Sequence, residues 1–286
     1  MGDTGRSFSF FPVLREADMT QSFKVAALQM VSTPEVEQNF DAAARLVAQA
    51  AQQGAQLVLL PEYWPIMGRH ERDKLAHAEA DGSGPIQQHM SALAREHRLW
   101  LVGGTLPLQS AVSDKVLNTS LVYGPEGQRV ARYDKIHLFN FVRGEENYDE
   151  ARTIEYGSEV RSFEAPFGRV GLSVCYDLRF PELYRAMGEC ALIVMPAAFT
   201  YTTGRAHWEL LLRARAIENQ CYVLASAQGG QHVNGRRTWG HSMLVDPWGE
   251  IVSVLPEGEG IVIGDIDPHR LQYVRECLPA LRHRKL

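Results

Sequence analysis

Short apolar runs alternate with amphipathic stretches along most of the chain, and this alternation restricts the possible folds more than any other feature. The first pair of runs is FKVAALQM and AQLVLLP. Between them, from Glu35 to about Gln53, apolar residues recur at helical spacing. They are Phe40, Ala43, Leu46, Val47 and Ala50. The chain is therefore predicted to open with a β-α-β unit.

The second half of the chain repeats this order. The runs GRVGLSVC, ALIVMP and CYVLASA are predicted strands, separated by the predicted helices PELYRAMG and RAHWELLLRARAIEN. A hairpin between VLNTSLVYG and QRVARYDK, together with further strands near the C-terminus, gives too many strands for a simple three-layer fold. We expect an α/β fold in which two sheets pack together and helices cover both outer faces.

The chain shows no internal division. No linker rich in Pro, Gly or Ser and no repeat of 20 to 50 residues interrupts the alternation. Residues 1–22 follow neither a helical nor a strand period, so we expect a poorly ordered tail there. A single domain is predicted for residues 23–286.

Composition excludes several classes of function. The 29 Lys and Arg residues are outnumbered by 34 Asp and Glu, so no overall basic field attracts nucleic acid or an anionic membrane. Runs such as ALIVM are far shorter than the roughly 18 residues of a membrane span. The start of the chain lacks a signal peptide, which predicts a cytoplasmic protein. The expected partner is a small molecule.

The four cysteines do not indicate a metal or disulfide framework. They stand at least fifteen positions apart and form no CxxC pair. The His207-Trp208-Glu209 sequence lacks the HExxH spacing of a zinc site. We therefore predict neither a metal nor a cofactor, and we interpret the cysteines other than Cys175 as buried apolar residues: Cys190, Cys221 and Cys277.

Three reactive side chains stand at the ends of predicted strands. Glu62 follows LVLLP, Lys135 follows RVARYD, and Cys175 ends GRVGLSV. Taken alone, a Glu or Lys after a buried strand is typical of a solvated loop, and a Cys at the end of a strand is typical of a small residue in the core. Together they form a chemically sensible set, because a thiol needs a base in order to attack at neutral pH and an ammonium can neutralise the oxyanion that forms on a carbonyl.

The motifs around these residues resemble a known family. LLPE, YDKIHLF and CYDLRFPEL are similar, in order and spacing, to the three conserved blocks of the nitrilase superfamily of carbon-nitrogen hydrolases. The resemblance extends from about Phe23 to the C-terminus. It implies an αββα four-layer sandwich, a Glu62-Lys135-Cys175 triad, hydrolysis through a covalent thioester, and a homodimer or higher homo-oligomer.

The same resemblance implies a second glutamate about 25 residues before the nucleophile. Glu150 occupies that place, and Glu145 and Glu146 are close competitors. Such a carboxylate would hydrogen-bond Lys135 or Glu62 and fix the geometry of the site.

Each predicted site residue can be given a chemical role. Glu62 would act as general base and Cys175 as nucleophile, while Lys135 would face the developing oxyanion. The amide N–H of Tyr176 is a second predicted oxyanion donor, because a turn from strand to helix aims backbone donors at that point.

The sequence favours an amide substrate. The nucleophile is followed by Tyr-Asp, whereas true nitrilases usually have Trp-Glu there. The stretch from Ala206 to Gly230, with WGHSMLVDPWGE after it, is similar to the branch of amidases that hydrolyse deaminated glutathione. The alternatives are an omega-amidase acting on amides of the 2-oxo-glutaramate type and a non-catalytic binding or scaffold protein with the same fold.

A carboxylate on such a substrate requires a basic partner. Arg205, at the start of a predicted helix, is the first candidate, followed by Arg179 and then by Arg236 or Arg237. The free N–H groups of the helix near Gly204 would assist.

Two further patterns have structural interpretations. Asp177, Arg179 and Glu182 are expected to form ion pairs that brace the Cys175 loop. Asn118-Thr119-Ser120 matches a glycosylation acceptor but lies in a predicted strand, so we interpret it as part of the sheet.

Overall fold

A computed structural model describes residues 21–144 and 146–285. Residues 1–20 of the predicted tail, and the candidate glutamate Glu145, lie outside the described residues.

The described residues form sixteen strands and six helices. The strands are β1 (Phe23–Gln29), β2 (Leu57–Leu59), β3 (Trp100–Val102), β4 (Leu106–Gln109), β5 (Val116–Tyr123), β6 (Arg129–Asp134), β7 (Asn140–Arg143), β8 (Glu146–Asp149), β9 (Ile154–Glu155), β10 (Ser162–Ala165), β11 (Gly168–Leu172), β12 (Leu192–Ala197), β13 (Tyr222–Ala227), β14 (Ser242–Val245), β15 (Ile251–Leu255) and β16 (Gly260–Ile266). The helices are α1 (Val36–Gln52), α2 (Asp73–Ala76), α3 (Pro85–His97), α4 (Pro181–Ala186), α5 (Tyr201–Asn219) and α6 (Pro268–Cys277).

The strands form two main sheets and one small ribbon. The first sheet has the order β16-β1-β2-β3-β5-β4, and β6 and β9 also pair with β5. The second has the order β10-β11-β12-β13-β14-β15, and β7 pairs with β8 in a separate ribbon. Parallel strands lie at the centre of each main sheet: β1, β2 and β3 in one, and β11, β12 and β13 in the other. The predicted hairpin of β5 and β6 is present.

The side chains of β1 show why its sequence is a continuous apolar run. Val25 and Ala27 belong to the core between the two sheets, whereas Ala26 and Leu28 belong to the core shared with α1 and α3. A strand buried on both faces has no polar alternation. On the opposite side, α5 packs Trp208 and neighbouring apolar residues against the second sheet. The predicted αββα sandwich is confirmed.

Two details differ from the sequence-based expectations. Helix α5 begins at Tyr201 rather than at Arg205, because Thr200 caps it and accepts a hydrogen bond from the amide of Thr203 at 3.3 Å. The cysteines Cys190 and Cys221 are buried as predicted, but Cys277 is exposed, because it lies on the last turn of α6.

No helix among the described residues is long and apolar enough to cross a membrane.

Candidate active site

The fold brings the three predicted reactive side chains together. Glu62 follows β2, Lys135 follows β6 and Cys175 follows β11, so loops from both sheets meet at one end of the sandwich. The Lys135 Nζ atom lies 2.8 Å from Glu62 Oε1. All three residues are buried, and Lys135 is completely inaccessible to solvent.

Glu62 is fixed by three donors. In addition to Lys135, the Nδ2 atom of Asn118 donates to Glu62 Oε1 at 3.0 Å. The backbone N–H of Ala198 donates to Oε2 at 2.9 Å. The carboxylate therefore has a defined orientation. Asn118 lies in β5 as predicted, but its contact with Glu62 was not expected; a polar residue inside an apolar strand was the signal in the sequence.

Of the competing glutamates, the structure brings Glu150 to Lys135. Its Oε2 atom accepts from Lys135 Nζ at 2.8 Å and from the Phe139 amide at 2.7 Å, and its Oε1 atom accepts from the Tyr63 hydroxyl at 2.8 Å. Glu146 lies in β8, on the wall of the adjacent cavity. Burial opposes ionisation of Glu150, but the charge of Lys135 and the hydrogen bonds from Lys135, Phe139 and Tyr63 together outweigh burial and lower the pKa of this carboxyl below its ordinary value.

The backbone presents Cys175 at a sharp turn. Cys175 has a φ of 51°, in the left-handed region that non-glycine residues rarely adopt, and opens a short 3-10 helix that ends at Arg179. Tyr176 is the next residue of this helix, whose first N–H groups have no partner within the helix.

Asp177 holds this turn by hydrogen bonds to other residues rather than through the expected ion-pair network of Asp177, Arg179 and Glu182. Its Oδ2 atom accepts from the Val174 amide at 2.8 Å and from the Tyr133 hydroxyl at 2.7 Å. Its Oδ1 atom lies 2.7 Å from His137 Nδ1. Asp177 is completely buried, so nearby donors from the β6 loop satisfy it better than an arginine that remains partly exposed.

The electrostatics of the site keep the thiol protonated and the ammonium charged. Burial, and then the charge of Glu62, raise the pKa of Cys175 well above its ordinary value. For Lys135, burial is outweighed by the charges of Glu150 and Glu62, so its pKa is raised. The nucleophile must therefore lose its proton to a base during attack, because no stable thiolate exists beforehand.

A cavity of about 390 Å³ is lined in part by Glu150, and its volume is typical of small-molecule sites. Its walls include Tyr63, Lys74 and Tyr148. A narrower cavity is lined by Cys175 and Tyr176. The two cavities share three lining residues: Phe139, Glu150 and Arg236.

The predicted arginines are distributed differently from expectation. Arg205 is exposed and lies one turn inside α5, because the helix starts four residues earlier than predicted. Among the described residues, it is not one of those that line either cavity. Arg179 stacks over the rings of Tyr176 and Phe199, with its guanidinium carbon 5.7 Å and 5.6 Å from their centroids. Arg236 is the arginine that lines both cavities.

The polar side chains of the described residues do not form a metal centre. Within residues 21–144 and 146–285, no group of three or more His, Cys, Asp or Glu side chains is arranged to hold a metal ion.

Comparison with known proteins identifies the family. The sequence profile of the family described as "Carbon-nitrogen hydrolase" matches residues 24–276. The chain belongs to the carbon-nitrogen hydrolase family. The predicted membership of the nitrilase superfamily is thereby confirmed, and this carbon-nitrogen hydrolase is an amidohydrolase, acting on carbon-nitrogen bonds other than peptide bonds.

Individual relatives of this carbon-nitrogen hydrolase share most of its length. A deaminated glutathione amidase of Synechocystis sp. is 41% identical, over 92% of this chain and 98% of the relative. The human omega-amidase NIT2 is 38% identical, over 92% and 95%. The crystal structure of Saccharomyces cerevisiae Nit3, a member of branch 10 of the nitrilase superfamily, superposes with a TM-score of 0.84 at 30% identity, covering 94% of this chain and 98% of that one.

Proposed function

We propose that this carbon-nitrogen hydrolase is a deaminated glutathione amidase that works through a thioester on Cys175. The observation that carries the proposal is the convergence of Glu62, Lys135 and Cys175 close to Glu150, which lines both the narrow cavity at Cys175 and a cavity of substrate size. The 41% identity to an amidase of that name supports the substrate. The substrate is a 2-oxo acid joined through an amide to cysteinylglycine.

The acylation step follows from the contacts. Glu62 accepts the thiol proton as Cys175 Sγ attacks the amide carbon, so an S–C bond forms while the carbonyl π electrons move to the oxygen. The Lys135 ammonium and the Tyr176 N–H stabilise that oxyanion. The C–N bond then breaks, and Glu62 returns its proton to the departing amine of cysteinylglycine. The acyl group remains on Cys175 as a thioester.

Deacylation uses the same groups in the same order. Glu62 removes a proton from a water molecule, whose oxygen attacks the thioester carbonyl. The oxyanion again faces Lys135 and the Tyr176 N–H, and the C–S bond breaks as the proton returns to sulfur. Glu150 does not need to touch the substrate in this scheme, and its two contacts with Lys135, at 2.8 Å and 3.1 Å, support a role in orienting the ammonium.

Substrate profiling tests the proposal. The purified enzyme is assayed with deaminated glutathione, 2-oxo-glutaramate and a short aliphatic nitrile, with Cys175→Ala as the blank. We expect the highest kcat/KM for deaminated glutathione, and no turnover of the nitrile. A preference for 2-oxo-glutaramate would replace the proposal by an omega-amidase, and the absence of amide turnover by pure wild-type enzyme would refute it.

The omega-amidase alternative has its own support in the 38% identity to human omega-amidase NIT2. The two candidate substrates share an acyl part and differ in the leaving group, which is ammonia in one and a dipeptide in the other. The cavity of about 390 Å³ next to the narrow cavity at Cys175 favours the larger leaving group.

We also propose a cytoplasmic homodimer. Leu210 and Ile217 lie seven residues apart on one face of α5, and their side chains are exposed together with Trp248 of a neighbouring turn. An apolar surface of this kind supports association of two copies. Light scattering that returned a 32.1 kDa monomer at micromolar concentration would refute the dimer. Fractionation of cells would test the proposed cytoplasmic location of the protein.

A further inference from the structure

We propose that Arg236 binds the carboxylate of the acyl part of the substrate and thereby selects acid amides over neutral ones. This inference rests on the proposed amidase function and identifies the residue that recognises the 2-oxo acid end. Arg236 was the last candidate from sequence, and the structure supplies four reasons to prefer it.

The first reason is position. Arg236 lines the narrow cavity together with Cys175, and it also lines the larger cavity. One guanidinium nitrogen, Nη2, donates to the carbonyl oxygen of Ala198 at 2.5 Å. The N–H of the same residue, Ala198, donates to Glu62. The guanidinium is therefore separated from the general base by the backbone of a single residue.

The second reason is an unused donor. The Nε atom of Arg236 is buried and has no hydrogen-bond partner among the described residues. A buried guanidinium N–H without an acceptor costs free energy, which a bound carboxylate would recover. The Nε edge of an arginine also supplies one of the two parallel N–H groups of a bidentate carboxylate contact.

The third reason is charge. Glu62 and Glu150 share one ammonium, that of Lys135, so these three residues leave one excess negative charge that would repel an anionic substrate. Arg236 adds the compensating positive charge. Across the described residues it has no salt bridge to a carboxylate, whereas its neighbour Arg237 pairs with Glu257 at 3.2 Å.

The fourth reason is preorganisation. The guanidinium carbon lies 5.3 Å from the centre of the Tyr148 ring. The backbone N–H of Arg236 donates to Asn234 Oδ1 at 3.0 Å, and Asn234 Nδ2 donates to the carbonyl of Gly68 across the cavity at 2.7 Å. Because the loop is already tied to the opposite wall, binding requires little further ordering of the arginine.

The acyl carboxylate fits this position better than the carboxylate of the leaving dipeptide. In a five-carbon acyl chain the carboxyl carbon is four bonds from the amide carbon, which is about 5 Å along an extended chain. Its partner must therefore line the same cavity as Cys175, as Arg236 does. The carboxylate of a cysteinylglycine leaving group is several bonds further away, toward the larger cavity.

The test compares two amides that differ only at the far end of the chain. Glutaramate carries a carboxylate where pentanamide carries a methyl group, and neither has a leaving group other than ammonia. Arg236→Met is expected to lower kcat/KM for glutaramate by about 10 to 100-fold, mainly through KM, and to change kcat/KM for pentanamide by less than about threefold. The matched control, Arg237→Met, removes an exposed arginine and should leave both values unchanged.

A second measurement is independent of turnover. In a Cys175→Ala background, calorimetry with glutaramate should show the same 10 to 100-fold loss of affinity when Arg236→Met is added, and Arg236→Lys should recover part of it. Equal losses on both amides would overturn the inference, since Arg236 would then act only through Ala198 and Glu62. Loss confined to deaminated glutathione would also overturn it, by placing the leaving dipeptide at Arg236. If the wild-type enzyme hydrolysed no amide, the proposed function itself would fail instead.

Discussion

Replacing Lys135 by Met tests the charge cluster at the centre of the site. The ammonium is completely buried and lies 2.8 Å from both Glu62 and Glu150, whose side chains are 1% and 11% exposed. Methionine fills a similar volume but leaves two carboxylates facing each other without a cation. The substitution should therefore damage both the reaction and the fold.

The sizes of the two effects can be worked out separately. Removing one partner of a buried ion pair costs about 3–5 kcal/mol of folding free energy. At about 2–4 °C per kcal/mol, the expected fall in Tm is on the order of 10 °C. Losing one oxyanion donor costs about 100 to 1000-fold in kcat. The exposed pair of Lys24 and Asp265 supplies the control, because Lys24→Met should cost less than about 1 kcal/mol and leave kcat unchanged.

The stability defect should depend on pH with a definite sign. In the wild type, Lys135 lowers the pKa of Glu150, so this carboxylate contributes stability above its unfolded pKa of about 4.3, and the contribution is lost as the pH falls through the folded pKa. In Lys135→Met, burial acts on Glu150 without the ammonium and raises its pKa. The variant then gains relative stability by protonation, and the difference in Tm should be largest near pH 8 and smallest near pH 5.

Thermal unfolding at pH 5, 6.5 and 8, with kcat measured on the folded protein, checks both effects. Adding Glu150→Gln to Lys135→Met should recover part of the Tm at pH 8, because one buried charge is removed, but it should not recover kcat. A Lys135→Met protein as stable as the wild type at pH 8, or one with undiminished kcat, would show that the ammonium does not hold this cluster together.

Three further outcomes concern the cysteines. Cys175→Ala should abolish turnover with the fold intact, whereas Cys190→Ala should keep the kcat of the wild type. Both values are measured on protein freed of wild-type contamination, and turnover by Cys175→Ala would refute the thioester mechanism. Because Cys277 is exposed whereas Cys190 and Cys221 are buried, peptide mapping after brief iodoacetamide treatment should find Cys277 alkylated and both Cys190 and Cys221 unmodified, and alkylation of Cys190 or Cys221 before Cys277 would contradict their burial. Because burial and Glu62 raise the pKa of Cys175, the difference in thiolate absorbance between wild type and Cys175→Ala should be absent at pH 7 and below, and a difference titration centred below pH 7 would contradict it.

The sequence by itself determined the layers of the fold and the reactive set. Runs such as FKVAALQM are apolar at consecutive positions because both faces of the strand are buried, and that pattern is local enough to be recognised without coordinates. Glu62, Lys135 and Cys175 were recognisable because each follows such a run within a motif of the family. The types and the spacing of these three residues were sufficient to predict hydrolysis of a carbon-nitrogen bond.

Only the tertiary structure decided which further side chains meet them. By its sequence Asn118 is an ordinary strand residue, and it reaches Glu62 because β2 and β5 lie on either side of β3 in one sheet, so that the loop after β2 passes close to β5. The sequence pattern predicts that Arg205 opens a helix, which favours Arg205 over Arg236, but the Thr200 cap starts that helix four residues earlier and Arg205 is exposed to solvent. Arg236 and Ala198 are 38 positions apart, and their contact depends on how the loops that follow β12 and β13, two neighbouring strands of one sheet, are brought together; no local pattern of residues encodes that distance.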